Sequence, residues 1–134
     1  MPVPDKRNIA AVLNAPIDVI DFEAAISRID AWAVNHSSRY VCICNAHSVV
    51  TASYDLGFES VIRGADMATA DGAPVAWMLR KLGNAGQKRI NGPDLMWRYC
   101  AFIQDNPERS IYLYGGTPET LAILQTRLLA VFPT

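Results

Sequence analysis

The sequence predicts an α/β fold, in which strands and helices alternate in a Rossmann-like order around a mostly parallel sheet. Short apolar runs rich in β-branched and aromatic residues, at 39–44 and 110–114, alternate with helical patterns. Neither run shows the polar alternation of a half-exposed strand, and this continuity is typical of parallel strands buried on both faces. The chain has 134 residues, of which 51% are apolar, and that is enough for the core of one domain.

The elements of the first half follow from their cap residues and from the spacing of apolar residues. Asp21 is a favoured helix cap, and Phe22, Ile26 and Ile29 then recur on one stripe of the helix that follows. In chain order, the expected elements are a turn at 14–16, a strand over 17–20, a helix from Asp21 to about Asn35, a strand over 39–44, helices over 45–53 and 56–63, and a strand over 67–70.

In the second half, proline and glycine mark the helix ends. Pro74 and Pro93 each stand early in a first helical turn, where the fixed φ of proline is tolerated. The expected elements are a helix over 74–82, a glycine-rich break at 83–86, a helix from 92 to about 104, a strand over 110–114 and a last helix after Glu119. The chain closes this helix where a strand would come next. We therefore expect residues 1–134 to be one α/β domain that is incomplete at its C-terminus, the N-terminal portion of a longer domain.

Composition excludes several classes of partner. The net charge of −1 gives no overall basic field to attract nucleic acid. The sequence contains no run of about eighteen apolar residues, the length that would be needed to span a membrane. The segment 1–7 lacks the apolar block of a signal peptide. Cys42, Cys44 and Cys100 lack metal-ligand spacing, so we interpret them as reduced thiols packed as small hydrophobes in a cytoplasmic protein.

Asp71 lies where the strand over 67–70 leads into a helix. In open α/β folds this junction, at the carboxyl ends of the strands, is where ligands bind. Gly72 allows the chain to turn tightly next to the carboxylate, and Pro74 is suited to the first helical turn. An acidic residue at this position is also a common helix cap, so a purely structural role stays open.

Two further segments carry polar groups next to helix starts. Asn45 and His47 follow the strand over 39–44, and Lys88 and Arg89 precede the helix that begins at Gly92. Each group has a structural alternative, because asparagine is a good cap, a histidine at a helix start is usually a surface residue, and loop cations are usually solvated.

Gly115, Gly116 and Thr117 follow the last predicted strand. Glycines before a helix leave amide N–H groups available to phosphate oxygens, although a plain turn would use the same residues. The dinucleotide fingerprint G-x-G-x-x-G, the Walker pattern and a metal-holding D-x-D pair are absent from the sequence. If the strands are parallel, the loops at Asn45, Asp71 and Gly115 gather at one edge of the sheet.

Taken in order, these segments resemble the WecG/TagA/CpsF family of bacterial glycosyltransferases, glycosyltransferase family 26. The resemblance covers residues 15 to 131. It rests on sequence blocks whose order and spacing are specific together: Cys44-Asn45-Ala46-His47, Ala70-Asp71-Gly72, Arg89-Ile90-Asn91-Gly92-Pro93-Asp94-Leu95 and Gly115-Gly116-Thr117-Pro118-Glu119.

The resemblance implies a hexosyltransferase that moves a sugar from a UDP-sugar to a polyprenyl-diphosphate-linked glycan acceptor. Its members build exopolysaccharide, teichoic acid linkage units and enterobacterial common antigen at the inner face of the cytoplasmic membrane. By position, Asp71 matches the proposed catalytic base and Arg89 the residue that steadies the diphosphate. Asn45 and the Gly115-Gly116-Thr117 loop match substrate-binding segments, and His47 is an added candidate. An inverting mechanism without metal or other cofactor is implied.

Two departures from the family pattern bear on these expectations. Ile43 stands where teichoic acid members often have threonine, so a hydroxyl role there is lost or passes to His47 or Ser48. The sequence of residues 45–48 is closer to that of exopolysaccharide members. Members are also longer, so we expect this chain alone to have little transferase activity and to self-associate through an open sheet edge.

Two other functional classes stay open. A non-catalytic nucleotide-binding or interaction domain would use Asp71 and Asn45 only as caps. A dehydrogenase is less well supported, because the first strand-to-helix turn at 20–22 contains no glycine.

Overall fold

The computed structural model describes residues 7–133, which form two compact units divided after Leu95. The first unit contains β1 (Ile9–Val12), β2 (Ala15–Asp18), α1 (Phe22–Val34), β3 (Val41–Cys44), α2 (Ala46–Tyr54), α3 (Leu56–Gly64), β4 (Met67–Ala70) and α4 (Ala73–Lys81). Helix α5 (Gly92–Ile103) begins in the first unit and continues into the second, which also contains α6 (Pro118–Val131). Residues 1–6, part of the segment expected to lack the apolar block of a signal peptide, lie outside the described part.

Four helices begin where the sequence predicts, because a polar side chain caps each one. Asp21 caps α1, Asn45 caps α2 and Asp55 caps α3, each by accepting a hydrogen bond from a backbone N–H three residues further along. Thr117 caps α6 in the same way, with its hydroxyl accepting from the N–H of Thr120. These local signals are why the predicted helix boundaries are confirmed to within a residue or two.

The sheets confirm a mixed α/β fold but correct the expectation of a mostly parallel sheet. Strands β3 and β4 are parallel, with Val41 opposite Met67 and Cys44 opposite Ala70. Strands β1 and β2 instead form an antiparallel hairpin, in which Val12 lies opposite Ala15. Within residues 7–133, the parallel arrangement is therefore confined to the β3–β4 pair.

The hairpin also corrects the predicted start of the chain. The turn lies at residues 13–14 rather than 14–16, and the strand before it was not predicted. Proline is tolerated in β2 because it lies in a two-stranded hairpin, where one side of the strand needs no N–H donor. Leu13 takes φ +53°, a left-handed conformation that the sequence gives no reason to expect of leucine.

Two strand predictions are corrected: one predicted strand is less buried than expected, and the other is not a strand. Strand β3 is only half-buried over 41–43, whereas the less obvious strand β4 is buried throughout, because β4 is covered by more of the first unit. The segment 110–114 is not a strand, and Tyr112 and Tyr114 are 89% and 92% exposed. A strand needs a hydrogen-bonding neighbour, and the described part of the second unit contains two helices and no other extended partner.

The core of the first unit lies between the strands and helices α2, α3 and α4. Its buried apolar members come from every one of those elements: Val12, Ala15, Ile17, Cys44, Val49, Ala52, Ile62, Ala68, Ala70, Val75 and Leu79. Packing this set fixes β4 in the middle of the unit, so the position of its carboxyl end is determined by the core.

A buried carboxylate joins β2 to β4. Asp18 is 1% exposed, and its Oδ1 accepts a hydrogen bond from the N–H of Ala68 at 2.8 Å. Arg7 and Arg28 pair with the same carboxylate at 2.7 and 3.3 Å. The side chain thus supplies an acceptor to β4 where a neighbouring strand would supply a carbonyl, and the two guanidinium groups compensate its charge.

Candidate active site

The carboxyl ends of β3 and β4 lie side by side and place Asn45 next to Asp71. Cys44 is opposite Ala70 in the parallel ladder, and the N–H of Asp71 donates to the carbonyl of Cys44 at 2.9 Å. Because both strands end at the same level, the first residue after each one projects at the same edge. The expected proximity of these two loops is confirmed.

A third segment lies on the other side of β4 and brings Arg89 to the same edge. The N–H of Ile90 donates to the carbonyl of Ala70 at 2.7 Å, and the Thr69 hydroxyl donates to the carbonyl of Ile90 at 3.2 Å. Asn91 therefore follows Ile90 at the level where Asp71 follows Ala70. The arrangement resembles one more strand end, although it carries too few backbone hydrogen bonds to form a strand.

The start of α5 closes over this edge. A Cβ added to Gly92 would lie 3.8 Å from the side chain of Ile43, which shows how near the first turn of α5 comes to β3. The helices α2, α4 and α5 therefore all begin at one edge of the first unit, and each N-terminus presents unpaired N–H groups there. Such an edge favours an anionic ligand, since the helix dipoles add to the effect of the N–H groups.

Asp71 does not act as the helix cap that was the structural alternative for it. The cap position of α4 is occupied by Gly72, at φ +89°, and no side chain makes a capping hydrogen bond there. Asp71 is half-buried, and its carboxylate has no hydrogen-bond or ion-pair partner among residues 7–133. A carboxylate that has neither a cap nor an ion pair to make is available for a ligand.

Asn45, by contrast, does act as a cap. Its Oδ1 accepts from the N–H of Ser48 at 2.9 Å and from the Ser48 hydroxyl at 3.0 Å. The amide nitrogen remains as a donor on an exposed side chain. A substrate contact by Asn45 would therefore come from its Nδ2, with the orientation of that nitrogen set by the cap.

His47 and Arg89 are both exposed and stay candidates on position alone. His47 lies in the first turn of α2, where its carbonyl accepts from the Thr51 hydroxyl. The guanidinium of Arg89 makes no ion pair with the described residues, whereas its neighbour Ile90 is 1% exposed and fixes the backbone. The backbone that carries the exposed Arg89 side chain is therefore held in place at this edge.

The nearest thiol is not a nucleophile. Cys44 is 1% exposed, and burial, the Cys42 thiol and the carboxylates of Asp18 and Asp71 raise its pKa to about 12. The thiol stays protonated at neutral pH, because the thiolate would be formed in an apolar site beside negative charge. Cys44 is thus excluded, and Asp71 is the carboxylate that directly follows the carboxyl end of β4.

Gly115, Gly116 and Thr117 belong to the second unit. The two glycines take φ +112° and +71°, so both positions need a conformation that L-residues rarely adopt. A Cβ at either position would meet nothing within 4 Å, so the backbone conformation rather than close packing requires glycine. Thr117 caps α6, which confirms a helix start, and its expected proximity to Asp71 remains a prediction.

Sequence reasoning missed two buried polar groups in the loop that precedes α5. The Oδ1 of Asn91 is buried and has no hydrogen-bond donor among residues 7–133. Gln87 is 5% exposed, and its side-chain amide exchanges two hydrogen bonds of 3.0 Å with the backbone of Ile20, like a paired strand. A signal for Asn91 did exist, since it is polar, follows an apolar residue and precedes a helix, as Asn45 and Asp71 do.

The described residues contain neither a candidate metal site nor a candidate membrane span. No group of three or more His, Cys, Asp and Glu side chains is placed to hold a metal ion. None of the helices is both long enough and apolar enough to cross a bilayer.

Comparison with known families identifies the family of the chain. Residues 10–134 match the model of the glycosyl transferase WecG/TagA/CpsF family. The match covers nearly the whole chain and includes all three segments that meet at the carboxyl edge of β4. The family suspected from the sequence blocks is confirmed, and the chain belongs to the WecG/TagA/CpsF family of glycosyl transferases.

Proposed function

We propose that this glycosyltransferase moves a hexose from a UDP-sugar to a polyprenyl-diphosphate-linked acceptor, in exopolysaccharide or related cell-surface synthesis at the inner face of the cytoplasmic membrane. The observation that carries the proposal is the carboxylate of Asp71. It lies at the carboxyl end of a buried strand, has no capping or ion-pair role among the described residues, and is flanked by Asn45, Arg89 and Asn91. We also propose that the whole domain has a Rossmann-like order of strands and helices.

Asp71 is the proposed general base. The acceptor hydroxyl loses its proton to the carboxylate as its oxygen attacks the anomeric carbon of the donor, with inversion at that carbon. The burial of β4 holds the carboxylate from one side, while its half-exposed position leaves it open to the acceptor. Positive charge and N–H groups at the edge stabilise the departing UDP.

Arg89 is the proposed partner of the diphosphate. A guanidinium can donate two hydrogen bonds to phosphate oxygens at once, and the first turn of α5 adds N–H groups beside it. Asn45 Nδ2 and His47 are proposed to contact the sugar or diphosphate, and the loop at Gly115–Thr117 the nucleotide phosphates. The reaction is proposed to need no metal, which agrees with the absence of a D-x-D pair from the sequence.

The test measures transfer directly. A full-length version of the protein is incubated with a panel of UDP-sugars and a polyprenyl-diphosphate-linked acceptor, and the release of UDP and the glycosylated lipid are both quantified. We expect transfer from one or a few donors, and the same rate in the presence of EDTA. Loss of transfer on chelation would overturn the metal-free mechanism.

Thermal stability separates the remaining classes. A ligand that binds only the folded state raises the melting temperature by mass action. Stabilisation by UDP but not by NAD supports the transferase, and stabilisation by NAD alone would support a dehydrogenase. No stabilisation by either, together with no transfer, would favour an interaction domain and contradict the proposal.

A further inference from the structure

A stretch of 22 residues, 72–93, contains four of the twelve Lys and Arg residues and no acidic residue, in a chain whose net charge is −1. The exposed members of this stretch form what we call the basic face: Trp77, Arg80, Lys81, Leu82, Lys88 and Arg89. Trp77 and Leu82 are 50% and 52% exposed, although both are large apolar residues. The proposed chemistry uses only Arg89 of this set, so the other five are unexplained.

Contacts within the first unit make the basic face continuous. The ammonium of Lys81 lies over the ring of Trp77, 5.4 Å from its centroid, one helical turn away on the outer side of α4. The guanidinium of Arg80 donates to the carbonyl of Gln87 at 2.9 Å, which holds the loop at 83–89 against the end of α4. Lys88 follows directly, so three cations and an indole ring share one surface.

One acidic group near this surface, Asp21, is already engaged in a helix cap. Asp21 lines a groove of about 510 Å³ together with Lys88 and Gln87. Its carboxylate, however, accepts the capping hydrogen bond of α1 from Ala24 at 2.8 Å. Asp71 and Asp94 stand at the two ends of the stretch, and the charged side chains of the stretch between them are all positive.

This combination fits the surface of an anionic bilayer. Indole rings favour the headgroup level of a membrane, because they present an apolar body with one polar N–H. Lysine side chains can lay their methylenes on apolar surface and extend their charge to lipid phosphates. A nucleic-acid-binding surface usually carries a stronger positive field than four cations can supply in a chain of net negative charge.

We infer that the basic face docks the protein on an anionic phospholipid surface, with Trp77 and Leu82 at the headgroup level and Lys81 and Lys88 against lipid phosphates. The inference deepens the proposed function, because it names the surface that would hold the carboxyl edge of β4 near a lipid-linked acceptor. Docking itself needs neither donor nor turnover, so the two can be tested separately.

The experiment is co-sedimentation of the full chain with vesicles of phosphatidylglycerol mixed with phosphatidylcholine, against vesicles of phosphatidylcholine alone. We expect binding to the anionic vesicles that weakens as salt is added. The variant K81Q/K88Q should bind them roughly 25-fold more weakly, since each cation near the surface contributes about fivefold. Trp77→Ala should also weaken binding, and it should do so even at high salt, because its contribution is apolar.

The matched control is R39Q/R63Q, which changes the net charge equally but removes cations from another part of the first unit, where they pair with Asp66 and Glu59. The control should bind anionic vesicles within about twofold of the parent. Tyr54→Ala is the aromatic control, since Tyr54 is 73% exposed on α2. Melting temperatures establish that every variant is folded.

Three outcomes would overturn the inference: no binding to anionic vesicles, equal binding to both vesicle types, or equal losses in K81Q/K88Q and R39Q/R63Q. Tighter binding of a single-stranded oligonucleotide, lost in K81Q/K88Q, would assign the face to a nucleic acid instead. Vesicle binding, together with no transfer activity in a full-length version of the protein, would contradict the proposed function and leave the docking surface standing.

Discussion

At the scale of single residues, Asp71 offers the sharpest test, because Gly72 rather than Asp71 occupies the cap position of α4. Asp71→Asn should leave the melting temperature nearly unchanged, since no capping bond or ion pair with the described residues is lost. Turnover should fall by roughly a hundred- to ten-thousand-fold, because the amide cannot accept the proton. Both quantities are measured on the same preparation with the donor that the panel identifies. A normal rate would remove Asp71 from the mechanism.

Asn45 allows its two roles to be separated. In Asn45→Asp a carboxylate oxygen replaces the amide oxygen that accepts from the N–H of Ser48, so the stability of α2 should be retained. It loses the Nδ2 donor and adds negative charge beside the proposed diphosphate, so the KM for the donor should rise. Asn45→Ala should instead cost about 1 kcal/mol of unfolding free energy. If Asn45→Asp binds the donor normally, Asn45 is only a cap.

Arg89 is predicted to act through geometry as well as charge. Arg89→Ala should weaken use of the UDP-sugar by about 1.5–3 kcal/mol, the value of a charge-assisted hydrogen bond. Arg89→Lys should lose less, because it keeps the charge but not the two-point contact. Kinetics of both variants decide the matter, with melting temperatures as the control. Parent-like kinetics for Arg89→Ala would mean that the diphosphate binds elsewhere.

At the scale of elements, the β1–β2 hairpin carries a strained turn. Leu13 is 56% exposed and has φ +53°, so the position costs conformational energy and gains little burial. Leu13→Asn should raise the free energy of unfolding by about 1 kcal/mol, since asparagine adopts left-handed backbone more readily. Leu82→Asn is the control, because Leu82 is equally exposed at φ −82°. Urea titration measures both, and equal effects would contradict strain at Leu13.

The elements also show which information is local. The starts of α1, α2 and α3 are predictable because Asp21, Asn45 and Asp55 lie three residues before the N–H groups that they accept from. Strand pairing is not local, so the segment at 110–114, whose composition suits a strand, is exposed instead. For the same reason, the apposition of Ile90 with Ala70 was not predictable, and Asn91 was missed with it.

For the candidate site, the sequence supplied residue types and the fold supplied their juxtaposition. Asn45, Asp71 and Arg89 could be named in advance because each adjoins a recognisable helix start. That Asp71 lacks a capping role could not be predicted, since Gly72 takes the cap position only through its positive φ. The Gly115–Thr117 loop lies in the second unit, and its part in the site remains a proposal.

At the scale of the whole molecule, stability should depend on alkaline pH through the buried thiols. Burial raises the pKa of Cys42, Cys44 and Cys100 above 9.0, and that of Cys44 to about 12. Above pH 9 the unfolded chain releases these protons while the folded chain retains them. The unfolded state then binds fewer protons, so the free energy of unfolding falls as the pH rises.

For Cys44 the fall should amount to about 1 kcal/mol between pH 7 and pH 10, and it should continue toward pH 12. Lysine and tyrosine side chains titrate in the same range, so the parent curve alone does not isolate the thiol. Cys44→Ala shares every other titrating group, and the difference between the two pH profiles therefore reports Cys44. We expect the variant to be less stable at pH 7, because it loses a buried sulfur, and the gap to narrow as the pH rises. A gap that stays constant from pH 7 to pH 10 would mean that the Cys44 thiol titrates alike in the folded and unfolded chains.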